Sequence, residues 1–151
     1  PFFLYRFVIS GFRLDEFFYE RNVFKTTSLL SYFCTSLRRT IFSKLKKELQ
    51  VHADAEERFF YVPLIKKDAT QEMARHGVAE HHEIDELVER LEETPFDSPG
   101  WLTLCKSLQE QVEHHLADEE KQFFQVSGKV LTESQKTGLA EEYSTYVEKN
   151  R

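Results

Sequence analysis

Two stretches of this chain repeat one pattern of polar residues inside one apolar frame. His52, Ala53, Asp54, Ala55, Glu56, Glu57 and His115, Leu116, Ala117, Asp118, Glu119, Glu120 both read H-x-x-x-E-E, at an offset of 63 residues. Leu49 and Val112 precede the histidines by three, Leu45 and Leu108 by seven, and Phe60 and Phe123 follow by eight. Steps of three, four and seven mark a single helix face. Each histidine and the glutamate four residues later therefore stack one turn apart on the face that carries the apolar residues. A chain built this way must place two helices so that imidazoles and carboxylates point into a core, where unpaired polar groups are costly.

The same periodicity runs through most of the sequence from residue 36. A helix is predicted from about Ser36 to Tyr61, ended or kinked by Pro63, which disfavours helical geometry at Val62. Asp68 with Gln71 has the form of a capping box, opening a helix that continues to about Glu93 with Val78, His81, Ile84, Leu87, Val88 and Leu91 on one face. After the loop TPFDSPG, Ser98 and Pro99 form an N-cap and first-turn pair. The following helix carries Trp101, Leu104, Leu108, Val112, His115, Glu119 and Phe123 inward and ends at Gly128. Thr132 and Gln135 cap a short terminal helix with Leu139, Tyr143 and Tyr146. Residues 12–30 are expected to supply the remaining long helix. Short loops between amphipathic helices make neighbours antiparallel, so the fold class is all-α: an up-down antiparallel four-helix bundle with a short C-terminal extra helix.

Composition narrows the class further. With 151 residues the chain is read as a single domain, residues 1–151, large enough to bury a core without covalent staples. Five glycines and four prolines are few for a strand-and-turn architecture. Cys34 and Cys105 cannot make a disulfide framework, which points to a reducing, cytoplasmic setting. No run of eighteen apolar residues is present, so no membrane span is expected. The opening PFFLYRFVIS has neither a basic lead nor an A-x-A-like site and is not expected to be a secretory signal. The net charge of −6 divides into +4 over residues 1–44 (seven basic, three acidic) and −10 over the rest. The acidic remainder would repel phosphate, and no stacking or groove-binding motif accompanies the basic lead, so nucleic acid is not an expected partner.

The polar groups on the core faces are the candidates for chemistry. His52 and Glu56, His115 and Glu119 come from the two repeats, and His81 faces inward from the helix between them. A metal ion, or two, would satisfy all five. Nitrogen with carboxylate oxygen and no thiolate in register favours iron or manganese, with zinc possible. A lone H-x-x-x-E on a helix is commonly a surface pair; two in one apolar register with a third inward histidine are not. His76, His82 and His114 fall off the core faces and are expected to be solvated, His82 being the one spare ligand. Asp85, four after His81, is a further candidate oxygen ligand. Glu57 and Glu120 are expected on outer faces or behind the ligands. Cys34, Cys105 and Tyr61 are expected to pack. The string beginning at His82 starts like a zinc-protease helix, but Glu86 stands where the second histidine belongs.

In VHADAEERFF, AEHHEIDELVERL and VEHHLADEEKQFF, taken in that order, the chain resembles the hemerythrin-like HHE cation-binding family over roughly residues 38–146. The resemblance implies a non-haem di-iron centre, with two irons that can be oxo- or hydroxo-bridged. His52 and Glu56, His81, and His115 and Glu119 would be ligands from successive helices, Glu56 and Glu119 bridging. Members bind dioxygen, sense oxygen, iron or nitric oxide, or help repair iron–sulfur clusters. The chain departs from the family pattern in having no histidine before His52; the family's first-helix ligand would fall near Phe17 or Phe18. Either that ligand is lost, leaving one metal or a different one, or residues 1–37 are not the true translation of the first helix. The second reading suits the nine of 14 phenylalanines and the reversed charge found in residues 1–44. Three functions follow. The first is a metal- and oxygen-binding protein that binds or senses a small gaseous ligand, dioxygen or nitric oxide, enclosed by Phe60 and Phe123. The second is an iron-dependent enzyme or repair factor acting on nitric oxide, peroxide or damaged iron–sulfur clusters. The third is a helical interaction module without metal.

Overall fold

The computed structural model describes residues 28–151, with side chains from Thr35 onward. The helix expected over residues 12–30 and the positions of Phe17 and Phe18 therefore lie outside the described residues, as does the side chain of Cys34. Helix α1 (Ser28–Glu56) passes through a π-helical turn (Glu57–Tyr61) into α2 (Val62–Leu64). Helices α3 (Gln71–Glu93) and α4 (Pro99–Asp118) follow, and α4 passes through a second π turn (Glu119–Phe123) into α5 (Phe124–Val130). Helix α6 (Glu133–Asn150) comes last. The described residues form an all-α bundle of four rods.

Their directions follow from which side chains meet. Phe42 and Leu45, early in the core of α1, pack with Val88 and Leu91 late in α3 and with Trp101 and Cys105 early in α4. At the other end Tyr61 packs with Ala74 and Phe123. Rod one is thus antiparallel to α3 and parallel to α4. Tyr143 and Val147 of α6 pack on Ala55 and Val51, and Arg151 pairs with Glu48, so α6 runs antiparallel to α1. Leu45, Leu91 and Leu108 are essentially sealed from solvent, and each contributes about 1.5–3 kcal/mol by leaving water. The polar cluster described below lies between these two apolar ends.

The ends of the helices follow the sequence in part. Ser98 accepts the Trp101 N–H at 3.1 Å, and Thr132 and Gln135 complete their capping box. The Asp68–Gln71 box does not form. Thr70 is the N-cap residue and makes no side-chain cap; its buried hydroxyl donates to the Leu64 carbonyl at 2.7 Å, closing the preceding turn instead. Pro63 does not end the first rod at Tyr61. Val62 remains helical (φ −59°, ψ −44°), its N–H bonded to the Glu57 carbonyl across the π turn. The fourth predicted helix runs past Gly128 to Val130. The terminal helix is 18 residues long and forms a full wall of the bundle. Among the described residues no helix is long and apolar enough to cross a membrane.

Candidate metal centre

Three helices bring their polar residues to one level. His52 and Glu56 come from the end of α1, His81 from the middle of α3 and His115 from the end of α4. Each offers an atom within 4.8 Å of the others. Glu56 Oε2 lies 3.2 Å from His52 Nε2, 3.4 Å from His81 Nε2 and 3.8 Å from His115 Nε2. His81 Nε2 and His115 Nε2 face each other at 3.1 Å. Glu119 stands beside this group, its Oε2 3.7 Å from His115 Nε2, and its Oε1 accepts a 2.5 Å hydrogen bond from the Tyr61 hydroxyl. Glu56, His81, His115 and Glu119 are buried, and His52 is nearly so.

The outer edges of the rings decide what the inner edges can do. His115 Nδ1 donates to Glu80 Oε2 at 3.0 Å, and His81 Nδ1 donates to Glu57 Oε1 at 3.3 Å. A carboxylate only accepts, so each ring carries a proton on Nδ1, which leaves Nε2 as the inward ligand atom of the neutral ring. His52 Nδ1 pairs with the Tyr143 hydroxyl at 3.1 Å. On the inner side, His52 Nε2 and Glu56 Oε2 are buried without a hydrogen bond. Three imidazole Nε2 atoms and a carboxylate oxygen thus converge on one point. A tetrahedral ion bound at about 2.0–2.1 Å would have ligand atoms about 3.3–3.4 Å apart, the middle of the range found here. The residues present fit a first-row divalent cation.

The electrostatics agree. Burial, reinforced by His81 and His115, outweighs Glu56 and lowers the His52 pKa to about 4, so that imidazole stays neutral. Burial opposes charge on His115 as well, but Glu56, Glu119 and Glu80 overcome it and raise its pKa to about 9. Glu56 is held ionised against its burial by His52, His115 and His81. Burial and the carboxylates of Glu56 and Glu119 raise the Tyr61 hydroxyl, which keeps its proton. Without metal the cluster holds ionised carboxylate against one strongly basic imidazole, His115, which carries a proton that a metal would have to displace.

The other predicted residues divide. Glu57 stands behind His81, as expected of an outer carboxylate, while Glu120 is exposed. Asp85 is half-buried on the wall of a neighbouring cavity and is not part of the four-residue cluster. His82 is turned to solvent and pairs with Glu86, so it is no spare ligand. Cys105 is buried and unpaired, in keeping with packing. Phe60 does not enclose the centre: the π turn rotates it partly outward and puts Tyr61 on the inner face, where it is 1% exposed. Phe123 packs with Tyr61 on that side. The cavity beside the histidines, about 50 Å³, is bordered instead by Leu45, Leu49, Ile84, Val112, Leu116 and Val147. Two residues had no sequence signal of their own. Glu80 adjoins His81 on α3 and Tyr143 lies on the terminal helix, and nothing in their spacing distinguishes them as partners of the histidines.

A helical bundle with imidazoles and carboxylates gathered at mid-height is a cation-binding protein in architecture. The model of the hemerythrin HHE cation-binding domain matches residues 21–126, and the chain belongs to that family. The matched range includes α1 through α4, ends within α5 and stops short of α6, which supplies Tyr143. No curated protein and no solved structure matches the chain.

Proposed function

We propose that this protein is a non-haem iron protein that binds or senses a small ligand such as dioxygen. His52, Glu56, His81, His115 and Glu119 would hold the metal. The observation that carries this reading is the convergence of three Nε2 atoms and Glu56 beside a largely apolar cavity of about 50 Å³. The wall of that space is largely apolar, which suits a small uncharged ligand. Bound iron would supply a Lewis-acidic, redox-active site for such a ligand.

The protein's own groups do the remaining work. Glu80 and Glu57 fix the ring orientation and tautomer of His115 and His81 and strengthen them as donors. Leu45, Leu49, Ile84, Val112, Leu116 and Val147 give the cavity its apolar wall, with Glu48, Asp85 and Arg151 also on its border. Tyr61 keeps its proton on the bond to Glu119 Oε1 and holds that carboxylate in place. Three imidazoles to two carboxylates make a donor set rich in neutral ligands, which favours reversible binding over oxidation. Five described donors are few for two irons, and a dinuclear centre would draw others from residues outside the described ones.

The test is metal content by elemental analysis on protein purified without chelators or added metal. About two irons per chain supports the dinuclear reading, and one supports a mononuclear centre with the first-helix ligand lost. No iron, even after anaerobic loading with ferrous ion, overturns the proposal.

A further inference from the structure

The spacing of a histidine and an acidic residue four positions later occurs at a second place on the bundle. His76 and Glu80 stand one turn apart on α3, and His114 and Asp118 stand one turn apart on α4. The two pairs face each other across adjacent antiparallel helices, on the outer side of the centre described above. His76 Nε2 lies 3.6 Å from Glu80 Oε1 and 3.9 Å from Asp118 Oδ2. His114 Nδ1 lies 3.0 Å from the same Glu80 oxygen. His76, Glu80 and Asp118 each offer an atom within 4.8 Å of the others.

Coincidental surface pairs do not explain this arrangement well. Glu80 is only 4% exposed, although its neighbours His76 and His114 are largely in solvent. It is held by two histidines at once, Oε2 by buried His115 and Oε1 by His114. A buried carboxylate so fixed is a preformed ligand, and the long, exposed His76 and His114 rings can close on an ion without moving the backbone. Two nitrogens and two carboxylate oxygens on rigid helices match borderline first-row cations better than calcium or magnesium, which prefer all-oxygen shells.

We propose that His76, Glu80 and Asp118, with His114, form a second, solvent-facing site for a first-row divalent cation. This site does not depend on iron at the inner centre. Glu80 joins the two: a cation drawn to Oε1 withdraws charge from the Oε2 that orients His115. That coupling, unlike the outer site itself, rests on the inner reading.

Zinc is the probe. Equilibrium dialysis of the full chain against Zn²⁺ is compared for wild type, an outer double variant (His76→Ala with Asp118→Asn) and an inner double variant (His52→Ala with His81→Ala), each checked for helicity by circular dichroism. The outer variant is expected to lose an equivalent of zinc that the inner variant keeps. Loss of two ligands should weaken that equivalent by more than the about 10- to 100-fold that removing a partner behind a ligand costs. An outer variant that binds zinc like wild type, or a folded inner variant that binds none, overturns the proposal. An inner variant that binds like wild type counts against the inner centre and leaves the outer one standing. A measurement on the unaltered chain covers loss of fold in a variant: Co²⁺ should produce paramagnetic shifts of the His76 and His114 ring protons, and unshifted rings overturn the proposal.

Discussion

At the scale of single residues, the smallest side chain near the centre sets one of its most demanding fits. Gly77 on α3 lies under the Tyr61 ring, and a Cβ there would fall 2.5 Å from both Cζ and the hydroxyl. The ring is stiff, fully buried and tied to Glu119, so it cannot step aside freely. Gly77→Ala is expected to destabilise the protein by about 1–3 kcal/mol through overpacking, read as a lower urea midpoint with an unchanged slope. Cys105 makes a second case. Burial, only partly offset by Arg38, raises its thiol to about 12. The unfolded thiol ionises near its ordinary value of about 8.5, so this group's contribution to stability is complete below that pH and is lost as pH rises toward 12. Alkylation of the native protein at pH 9 should be far slower than in denaturant. A native rate equal to the denatured one would mean the thiol is not sealed.

At the scale of elements, the bundle shows which parts of a helical pattern sequence can convey. The pairs His52–Glu56 and His115–Glu119 were legible because four residues span one turn, and the apolar frame showed which way that turn faces. His81 was legible from Ile84 and Val88 for the same reason. The π turns were not. They begin at Glu57 and Glu119, next to or at the second polar residue of each repeat, and widen the helix by one residue per turn. Nothing in ERFFY or EEKQF marks that widening, and past it Tyr61, not Phe60, faces inward in the first repeat, while Phe123 keeps the inner face in the second. Glu80 was missed because its direction depends on how α3 and α4 are rotated against each other, a tertiary property. Tyr143 was missed because a tail helix carries no register relative to α1. In the structure α6 closes the His52 side, and Tyr143→Phe removes the partner of His52 Nδ1. Loss of such an outer partner should weaken metal binding about 10- to 100-fold, measured by competition with a chromophoric chelator. Unchanged affinity would show that His52 is positioned by packing alone.

At the scale of the whole molecule, the centre joins segments that are far apart along the chain. A ligand that binds the folded state and not the unfolded one stabilises it by mass action, by about 2.7 kcal/mol at a hundredfold excess over its Kd. Adding metal to stripped protein should raise the thermal midpoint with metal concentration, and removing it with a chelator should reverse the rise. A midpoint indifferent to metal would mean that no ion crosslinks the helices. The mid-height position of the cluster has a finer consequence for how the backbone opens. Residues 52–56, 80–81 and 115 sit at one level of three different rods, so an ion there makes their separate local fluctuations a single event. Amide protons around those three points, slowed to different degrees in stripped protein, should exchange with deuterium at one shared rate once metal is bound.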